Sequence, residues 1–372
     1  MIMNSTNNEI LPQGYRMTEL GPLPEEWEVV RLGEVAEKMK AGGTPRRSVK
    51  EYWGGNIPFV LIEDMTSCNL YLSKTKETIT EEGLNSSSAW LVPPNTILLS
   101  MYATIGETAI NTIPVTTNQA ILAIIPKDNF DTVFGAYILK YNDQRLIMQN
   151  IQSTQKNVNK GIVDNFKIPL PPLSEQQKIA AVLSAVQEAK EKTEAVIATA
   201  KALKKSMMKH LYTYGPVSPQ EAETVSLKET EIGPVPEDWE VARLGEYCNV
   251  FSGYAFKSDD FCNNGILVVK IGNLQNGSIV FNAKESFFPR EKINDDMSKF
   301  ILNEGDILIA LTGATTGKIS LVPKSVNGAL LNQRVGKFSF YNDSLYKSFV
   351  MYYFITDEFQ NHIKINIMQS AQ

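Results

Sequence analysis

An internal repeat constrains the fold of this chain more than any other feature. Residues 18–34 read TELGPLPEEWEVVRLGE and residues 230–246 read TEIGPVPEDWEVARLGE, so 13 of 17 positions are identical. Weaker anchors follow in both copies, where ATIG at 103–106 corresponds to ATTG at 314–317 and Asn118-Gln119 corresponds to Asn332-Gln333. Such self-similarity predicts two copies of one folded unit. Two related surfaces in one polypeptide indicate a protein that recognises a two-part target rather than an enzyme.

Composition is that of an ordinary globular protein. The 372 residues are 43% hydrophobic and 21% charged, which leaves room for two or three cores. No apolar run approaches the roughly 20 residues needed to span a bilayer, and the first 15 residues lack the pattern of a signal peptide. We therefore expect a cytoplasmic protein. The three cysteines, Cys68, Cys248 and Cys262, lack metal-ligand spacing, so we expect structural or incidental thiols and no metal.

The formal net charge of −5 argues against strong binding to nucleic acid by the chain alone, because phosphate contacts supply most non-specific affinity. A local basic patch matters more than the sum of charges. An acidic reader of DNA is therefore expected to bind weakly by itself and to depend on a more basic partner.

Both copies show the same order of secondary structure. Short apolar runs bounded by Gly, Pro, Asn or Ser predict strands at 57–62, 96–101 and 120–125, and then at 266–271, 306–311 and 337–340. Helical patterns follow each set of strands, at 133–151 and 344–367. Each copy is therefore predicted to form an α+β domain, which is a curved sheet with flanking helices. Trp27 and Trp239, which are fixed in the repeat, are interpreted as core anchors.

A long amphipathic helix is predicted between the copies, from Ser174 to Leu211. Ser174 with Gln177 three residues later has the spacing of a capping box. Apolar residues then recur at steps of three and four, as in a coiled-coil seam. The helix would be about 55 Å long, which favours a spacer over a helix packed on its own domain. The predicted spacer and partner interface comprises Ile179, Leu183, Val186, Val196, Leu203, Met207 and Leu211.

Four segments together resemble the specificity subunit of type I restriction-modification systems. They are the GPLPEEWEVVRLGE opening, the GGTP turn at 42–45, TTNQA at 116–120 and IPLPPLSEQQKIA at 168–180, followed by a second such unit. The resemblance covers essentially the whole chain. IPLPPLSEQQKIA is close to diagnostic in this setting, whereas GGTP or NQA alone would be weak.

The resemblance implies a non-catalytic subunit with two target recognition domains, each reading one half of a split DNA sequence. It implies two methylation subunits, which bind S-adenosylmethionine, and restriction subunits as partners, with no cofactor on this chain. The expected domains are a conserved N-terminal segment (1–26), target recognition domain 1 (27–166), the PLPPL loop with the spacer helix (167–214), a linker (215–238) and target recognition domain 2 (239–372).

The sequence departs from the family pattern at its end. Residues 150–155 (NIQSTQ) align with 367–372 (IMQSAQ), where a second PLPPL loop and spacer helix would be expected to follow. A seam without its partner helix would expose apolar side chains. We therefore expect self-association or a partner at the spacer helix.

Motifs of catalysis are lacking. There is no Asn-Pro-Pro-Tyr/Phe or Asp-Pro-Pro-Tyr/Phe sequence of a methylating subunit, and GATTGKIS at 313–320 has the wrong spacing for a phosphate loop. A non-DNA-binding scaffold that uses the two repeats and the coiled coil to bind proteins remains the alternative function.

Residues that could contact DNA are chosen by chemistry and loop position. Arg, Lys, Asn and Gln read base edges, whereas Lys, Ser, Thr and backbone N–H groups hold phosphates. The predicted DNA-binding residues are Lys40, Thr44, Arg46, Arg47, Tyr102, Lys156, Asn157 and Lys160 in the first copy, and Tyr254, Lys257, Thr312, Thr315, Lys318 and Arg334 in the second.

Overall fold

The computed structural model describes residues 11–102, 104–148, 158–275, 277–281, 285–342 and 344–370. Two of the predicted DNA-binding residues, Lys156 and Asn157, lie outside these ranges. The chain divides into two units, Met1–Thr193 and Glu194–Gln372, which we call unit 1 and unit 2.

Unit 1 combines short strands with short helices, as the sequence predicts. Its strands are β1 (Tyr15–Thr18), β2 (Gly21–Pro24), β3 (Glu28–Arg31), β4 (Ala36–Ala41), β5 (Trp53–Val60), β6 (Tyr71–Leu72), β7 (Glu77–Ile79), β8 (Thr96–Ser100), β9 (Thr108–Asn111), β10 (Thr116–Thr117), β11 (Ile121–Pro126) and β12 (Lys167–Leu170). Its helices are α1 (Leu32–Val35), α2 (Ile62–Ser67), α3 (Glu81–Asn85), α4 (Thr132–Tyr141), α5 (Asp143–Met148) and α6 (Lys160–Asp164).

Two sheets form the body of unit 1. The larger has the order β4-β11-β8-β9-β6, and the smaller has the order β10-β5-β7. β11 is antiparallel to both β4 and β8, and β10 is parallel to β5. The hairpin β1-β2 and the pair β12-β3 are separate.

The larger sheet is buried on both faces. Along β8, Ile97 and Leu99 belong to a core shared with α4 and α6, whereas Leu98 belongs to a second core with Val60 and Met65. Side chains of a strand alternate between faces, so a strand covered on both sides is apolar throughout. This explains why β8 and β11 appear in the sequence as continuous apolar runs rather than as alternating ones.

Unit 2 repeats this architecture. Its strands are β13 (Leu227–Thr230), β14 (Gly233–Pro236), β15 (Cys248–Ser252), β16 (Ile266–Val269), β17 (Leu274–Gln275), β18 (Ser278–Ile279), β19 (Phe287–Phe288), β20 (Ile307–Ala310), β21 (Ile319–Leu321), β22 (Leu330–Leu331) and β23 (Val335–Phe340). Its helices are α8 (Lys347–Phe354) and α9 (Asp357–Ser370).

The sheet topology of unit 2 corresponds strand for strand to that of unit 1. The order β15-β23-β20-β21 matches β4-β11-β8-β9, and β22-β16-β19 matches β10-β5-β7, including the parallel pair β16-β22. α8 packs on β20 and β23 through Val350, Met351 and Phe354, as α4 packs on the larger sheet of unit 1. The duplication and the α+β class predicted from the sequence are therefore confirmed in the fold.

The hairpin β13-β14 lies within 215–238, where the sequence predicts a linker. It pairs Thr230 with Gly233 in the same register as Thr18 with Gly21 in β1-β2. The segment is thus part of the repeated unit and carries its own secondary structure.

One long helix, α7, runs from Leu173 to Tyr214 without a break. Its 42 residues correspond to about 63 Å at 1.5 Å per residue. The boundary between the two units falls inside it, at Thr193 and Glu194. No helix among the described residues is long and apolar enough to cross a membrane.

The predicted capping box of this helix is wrong. Ser174 lies inside the first turn, because α7 begins at Leu173. The N–H groups of Glu175 and Gln176 both donate to the carbonyl oxygen of Pro172 (2.8 and 3.0 Å). The loop carbonyl therefore closes the first turn, and Ser174 is free of a capping role.

Candidate functional site

Three loops of unit 1 meet at one edge of its larger sheet. Loop A (42–47) follows β4, loop B (101–106) follows β8, and loop C (118–120) precedes β11. Because β11 runs antiparallel to both neighbours, the carboxyl ends of β4 and β8 lie beside its amino end. We call this the loop edge of unit 1.

Backbone hydrogen bonds fix the three loops to one another. Gly42 N–H donates to Ile121 O (3.3 Å), Gly43 N–H donates to Thr117 O (2.9 Å), and Met101 N–H donates to Ala120 O (2.8 Å). The strands of the sheet thus determine where the loop side chains lie.

Unit 2 has the same loop edge with the same hydrogen bonds. Its loops A, B and C are 253–257, 311–317 and 332–334, respectively. Gly253 N–H donates to Val335 O (3.0 Å), Tyr254 N–H donates to Leu331 O (2.8 Å), and Leu311 N–H donates to Arg334 O (3.0 Å). The backbone frame is therefore common to both units, whereas most side chains on it differ.

A glycine at the start of loop A is required in both units. A Cβ atom on Gly42 would lie 1.9 Å from Thr117 O, and one on Gly253 would lie 2.3 Å from Leu331 O and 2.5 Å from Asn332 O. These contacts are with backbone, which has little freedom to move. Glycine is the residue that permits such close approach of two backbones.

An asparagine supports loop C in both units. Asn118 Oδ1 accepts a hydrogen bond from Ala120 N–H (2.9 Å), and Asn332 Oδ1 accepts one from Arg334 N–H (3.3 Å). This is an Asx turn, in which the side chain substitutes for a backbone group. The asparagines repeated in the sequence are thus explained by loop structure.

Three predicted residues of unit 1 lie on loop A. Thr44 Oγ1 donates to Gln119 Oε1 of loop C (2.7 Å). The Arg47 guanidinium stacks 3.9 Å from the centroid of the Trp53 ring and pairs with Glu77 (2.7 Å). Arg46 is exposed. Arg47 is therefore held in place, and one of its guanidinium N–H groups already donates to Glu77. Arg46, by contrast, projects from the loop.

The remaining predicted residues of unit 1 are more dispersed. Tyr102 lies on loop B, where its carbonyl oxygen accepts from Ser100 Oγ (2.8 Å). Lys40 is a β4 residue whose Nζ lies 5.4 Å from the centroid of the Trp90 ring. Lys160 is the first residue of α6 and is exposed. Lys40 and Lys160 are thus outside the three loops.

The predicted residues of unit 2 converge more closely. All six lie on the three loops or immediately beyond them. Tyr254 packs its ring against Phe256 (5.0 Å) and Phe300 (5.6 Å), and it stays exposed at 36%. None of the six is buried; they are Tyr254, Lys257, Thr312, Thr315, Lys318 and Arg334.

Positive charge at the loop edges is largely unneutralised. Within the part of the chain that the structure describes, no ion pair is formed by Arg46, Lys257, Lys318 or Arg334. Lys337, by contrast, is nearly buried and pairs with Asp306 (3.0 Å). Among the described residues, Arg46 at the loop edge of unit 1 and the three cations of unit 2 are therefore without ion pairs, and both edges also carry hydroxyl groups on a fixed backbone.

Loop C also presents a residue that the sequence prediction omits. Gln119 and Gln333 occupy the same position in the two units, and both side chains are exposed. The signal was available, because Asn-Gln is one of the anchors of the repeat.

The start of α7 is attached at the opposite edge of the larger sheet of unit 1. Gln176 is fully buried. Its Oε1 accepts from Asp131 N–H (2.9 Å), and its Nε2 donates to Asn129 O (3.0 Å) and Pro171 O (2.9 Å). Asn129 and Asp131 follow the far end of β11, whose six residues span about 20 Å. This attachment of α7 therefore leaves the loop edge of unit 1 uncovered.

The two repeated tryptophans are wrongly predicted as core anchors. Trp27 is only half-buried, and its Nε1 donates to Glu175 Oε2 at the start of α7 (3.0 Å). Trp239 is also half-buried and packs edge-on against Phe349 (6.1 Å). Each tryptophan holds a helix to the margin of its unit because its indole combines an apolar body with a polar edge.

Replacing Gln176 by alanine should destabilise unit 1 by about 2 kcal/mol, because one N–H and two carbonyl groups would be left buried without partners. The melting temperature should fall by about 4–8 °C for a unit of this size. Thermal unfolding followed by circular dichroism measures this. The neighbouring Gln177 is exposed, so Gln177→Ala is the control, and equal melting of the two variants would contradict the assignment.

The end of α7 is attached within unit 2. Tyr212 OH donates to Phe349 O (2.7 Å), and its ring lies against those of Phe349 (5.1 Å) and Tyr353 (5.4 Å). Burial raises the pKa of Tyr212 to about 12. An apolar groove of about 860 Å³ adjoins this contact, lined by Leu203, Met207, Leu211, Trp239, Phe349 and Tyr352 among others.

The described residues contain no group of His, Cys, Asp or Glu side chains that could hold a metal ion. Burial raises the pKa of the Cys68 thiol to about 11 and also raises the pKa of Cys248. Both thiols are therefore protonated near neutral pH and weak as nucleophiles.

Comparison with known proteins identifies the family. The family described as "Type I restriction modification DNA specificity domain" matches residues 24–201 and 236–372. This chain belongs to the type I restriction modification DNA specificity family. Its two matched segments correspond to the two repeats, so the chain carries two DNA specificity domains.

Curated relatives in this specificity family align with most of the chain. The chain is 31% identical over 347 residues to the type I restriction enzyme MjaVIII specificity subunit of Methanocaldococcus jannaschii, covering 92% of this chain and 77% of the relative. It is 30% identical over 320 residues to the MjaIX specificity subunit of the same organism, covering 83% and 72%. Among solved structures, the type I S subunit from M. genitalium superposes with a TM-score of 0.56 at 16% identity, covering 92% of this chain and 79% of that one, and it shares the fold.

Proposed function

We propose that this chain is the non-catalytic DNA-specificity subunit of a type I restriction-modification complex. Each unit would read one half of a bipartite DNA target through its loop edge. α7 would set the spacing between the two half-sites on the DNA. The observation that carries this proposal is the loop edge itself, which is built twice on the same hydrogen-bonded frame but bears different side chains. A shared frame with unlike side chains suits two modules with one task and two targets.

The chemistry of the loop edges supports the reading of DNA. Thr312, Thr315 and Lys318 supply hydroxyl and ammonium groups that can hold phosphates, whereas Arg46 and Arg334 can reach base edges. The side chains of Lys318, Arg46 and Arg334 form no ion pair in the described parts of the two units. The negative total charge of −5 is compatible with this role if a more basic partner supplies much of the affinity.

The partners implied by this role are two methylation subunits and the restriction subunits. S-adenosylmethionine would be bound by the methylation subunits and not by this chain. DNA modification of this kind would take place in the cytoplasm.

We further propose that an exposed apolar stripe on α7 docks another helix. Ile179 packs on the core of unit 1, but the later residues of the predicted seam are exposed, with Val186 at 63%, Val196 at 68% and Leu203 at 60%. The stripe begins at Leu183 and continues to Met207 and Leu211, which line the groove of unit 2. Such a stripe is of the kind that binds a protein partner. We propose methylation subunits as its partner in the complex and a second copy of this chain in isolation.

Selection from a random duplex pool tests the proposed function. The purified chain is combined with its methylation subunits, and the retained DNA is sequenced. Two short conserved blocks separated by unconstrained base pairs are expected, with affinity that falls linearly in log K against log salt. Recovery of no enriched motif would instead support a scaffold that binds proteins alone.

Substituting Val196 by lysine should abolish self-association through the stripe, because a charge would have to be buried in an apolar helix contact. Sedimentation should then show a monomer for the variant and a concentration-dependent dimer for the wild type. Ala198 is exposed on the opposite face of α7, so Ala198→Lys is the control and should still dimerise. A wild-type protein that stays monomeric at all concentrations would contradict this proposal.

A further inference from the structure

We propose that Gln119 and Gln333 are a matched pair of phosphate contacts, one at each loop edge, that hold the duplex without reading its sequence. The inference rests on the proposed function, because it assigns a task to a residue of the same surface. It concerns residues that the family resemblance leaves without a role.

The first support is identity at an exposed position that lies outside the hydrophobic cores. Gln119 and Gln333 each follow an asparagine whose side chain supports loop C, but the glutamine side chains themselves are exposed. An exposed residue is free to change when two copies diverge. Its retention in both copies therefore indicates a shared task.

The second support is the difference between the surroundings of the two glutamines. The residue after Gly43 is Thr44, whereas the residue after its counterpart Tyr254 is Ala255. Loop A otherwise carries Arg46 and Arg47 in unit 1, and Phe256 and Lys257 in unit 2. Side chains that read different bases are expected to differ in this way. A residue that stays the same is suited to the part of DNA that is the same in both halves, namely the sugar–phosphate backbone.

The third support is the hydrogen-bonding state of Gln119. Its Oε1 accepts from Thr44 Oγ1 (2.7 Å), which leaves the amide NH₂ group as its free donor. This contact holds the amide with its NH₂ group available to donate, and a phosphate oxygen accepts such a hydrogen bond.

A second identical pair of polar residues lies on loop B. Thr104 and Thr315 occupy the same place in the hairpin turn, since each carbonyl oxygen accepts from the N–H group three residues later (3.2 and 3.1 Å). Hydroxyl groups are common phosphate donors. The frame of each loop edge thus carries shared uncharged donors, around which the variable side chains are arranged.

The test uses Gln119→Ala and Gln333→Ala in the full chain together with its methylation subunits. Affinity is measured on a random-sequence duplex and on the duplex selected by the wild type, at several salt concentrations, and the selection is repeated for each variant. We expect each variant to bind both duplexes about ten- to a hundredfold more weakly, as for loss of a hydrogen bond to a charged acceptor. The selected motif should stay unchanged.

The salt dependence gives an independent signature. Removing a lysine contact to phosphate reduces the slope of log K against log salt, because fewer counterions are released. Glutamine is uncharged, so the slope should be the same in the alanine variants as in the wild type. Gln119→Glu and Gln333→Glu should weaken binding further, because a carboxylate would face the phosphates.

Gln177→Ala, an exposed glutamine at the opposite edge of unit 1, is the matched control and should bind like the wild type. A changed base preference in one half of the motif would overturn the inference by making the glutamine a base reader. Unchanged affinity in both alanine variants would also overturn it. A wild type that selects no motif would contradict the proposed function, whereas a selected motif with unaffected variants would contradict this inference alone.

Discussion

Exchanging residues 40–126 for the corresponding segment of a related specificity subunit should change one half of the DNA target and leave the other half intact. The segment contains all three loops of the unit 1 loop edge, together with most of both its sheets. Unit 2 keeps its own loop edge in the exchanged chain. The selected motif, determined from a random duplex pool, should therefore show one new block and one old block.

The design of this exchange follows from the two-sided burial of the larger sheet. One face of the exchanged strands packs on α4, which is retained, through Ile97, Leu99, Leu122 and Ile124. These four residues should be kept, because altered volumes would leave cavities that cost about 2–5 kcal/mol for each large-to-small change. The reciprocal exchange of 251–340 should change the other half. Alteration of both halves by either exchange would show that the units do not read DNA independently.

Replacing Gly253 by alanine should disrupt the loop edge of unit 2 and remove recognition of one half of the target. The new Cβ atom would lie 2.3 Å from Leu331 O and 2.5 Å from Asn332 O, so loop A must separate from loop C or the sheet must shift. Overpacking of this kind costs about 3 kcal/mol, which corresponds to a fall in melting temperature of about 6–12 °C. Thermal unfolding and motif selection measure the two effects.

The chain provides a control for the glycine substitution. Gly245 has no atom within 4 Å of its Cβ direction and has no positive φ, so Gly245→Ala should leave stability and motif unchanged. Gly42→Ala, whose Cβ would lie 1.9 Å from Thr117 O, should affect the other half of the target. Wild-type stability and specificity in Gly253→Ala would show that the loops are free to adjust.

Much of the fold could be predicted because its signals are local or repeated. The strands predicted at 96–101 and 306–311 are apolar runs of the right length, and the long helix α7 has an unbroken heptad-like pattern. The duplication needed only comparison of the chain with itself. The match of sheet order between the units then followed from homology.

The attachment of α7 could not be predicted because it depends on distant partners. Gln176 and Gln177 are adjacent and chemically identical, yet the buried one binds Asn129 and Asp131, 47 and 45 residues away. The sequence pattern predicts a role for Gln177 in a capping box that does not form, and it gives no sign of the role of Gln176. The role of Trp27 is not predictable for the same reason, since its partner Glu175 is 148 residues away.

The site was predicted in part. Loop position and side-chain chemistry selected residues on all three loops of unit 2, but the same criteria also selected Lys40, which lies on a strand beside Trp90. The backbone equivalence of the two loop edges, which singles out Gln119 and Gln333, lies in hydrogen bonds between loops that are distant in sequence. The predicted roles of Lys156 and Asn157 stay predictions, because these residues lie outside the described ranges.

The central proposal is that the two loop edges read two stretches of a single duplex and that α7 sets the spacing of those stretches on the DNA. The most direct measurement inserts five base pairs between the two blocks of the selected site, which rotates one block by about half a turn of DNA relative to the other. The affinity of the complex should then fall to that for a duplex with a single block. Unchanged affinity after the insertion would contradict the claim.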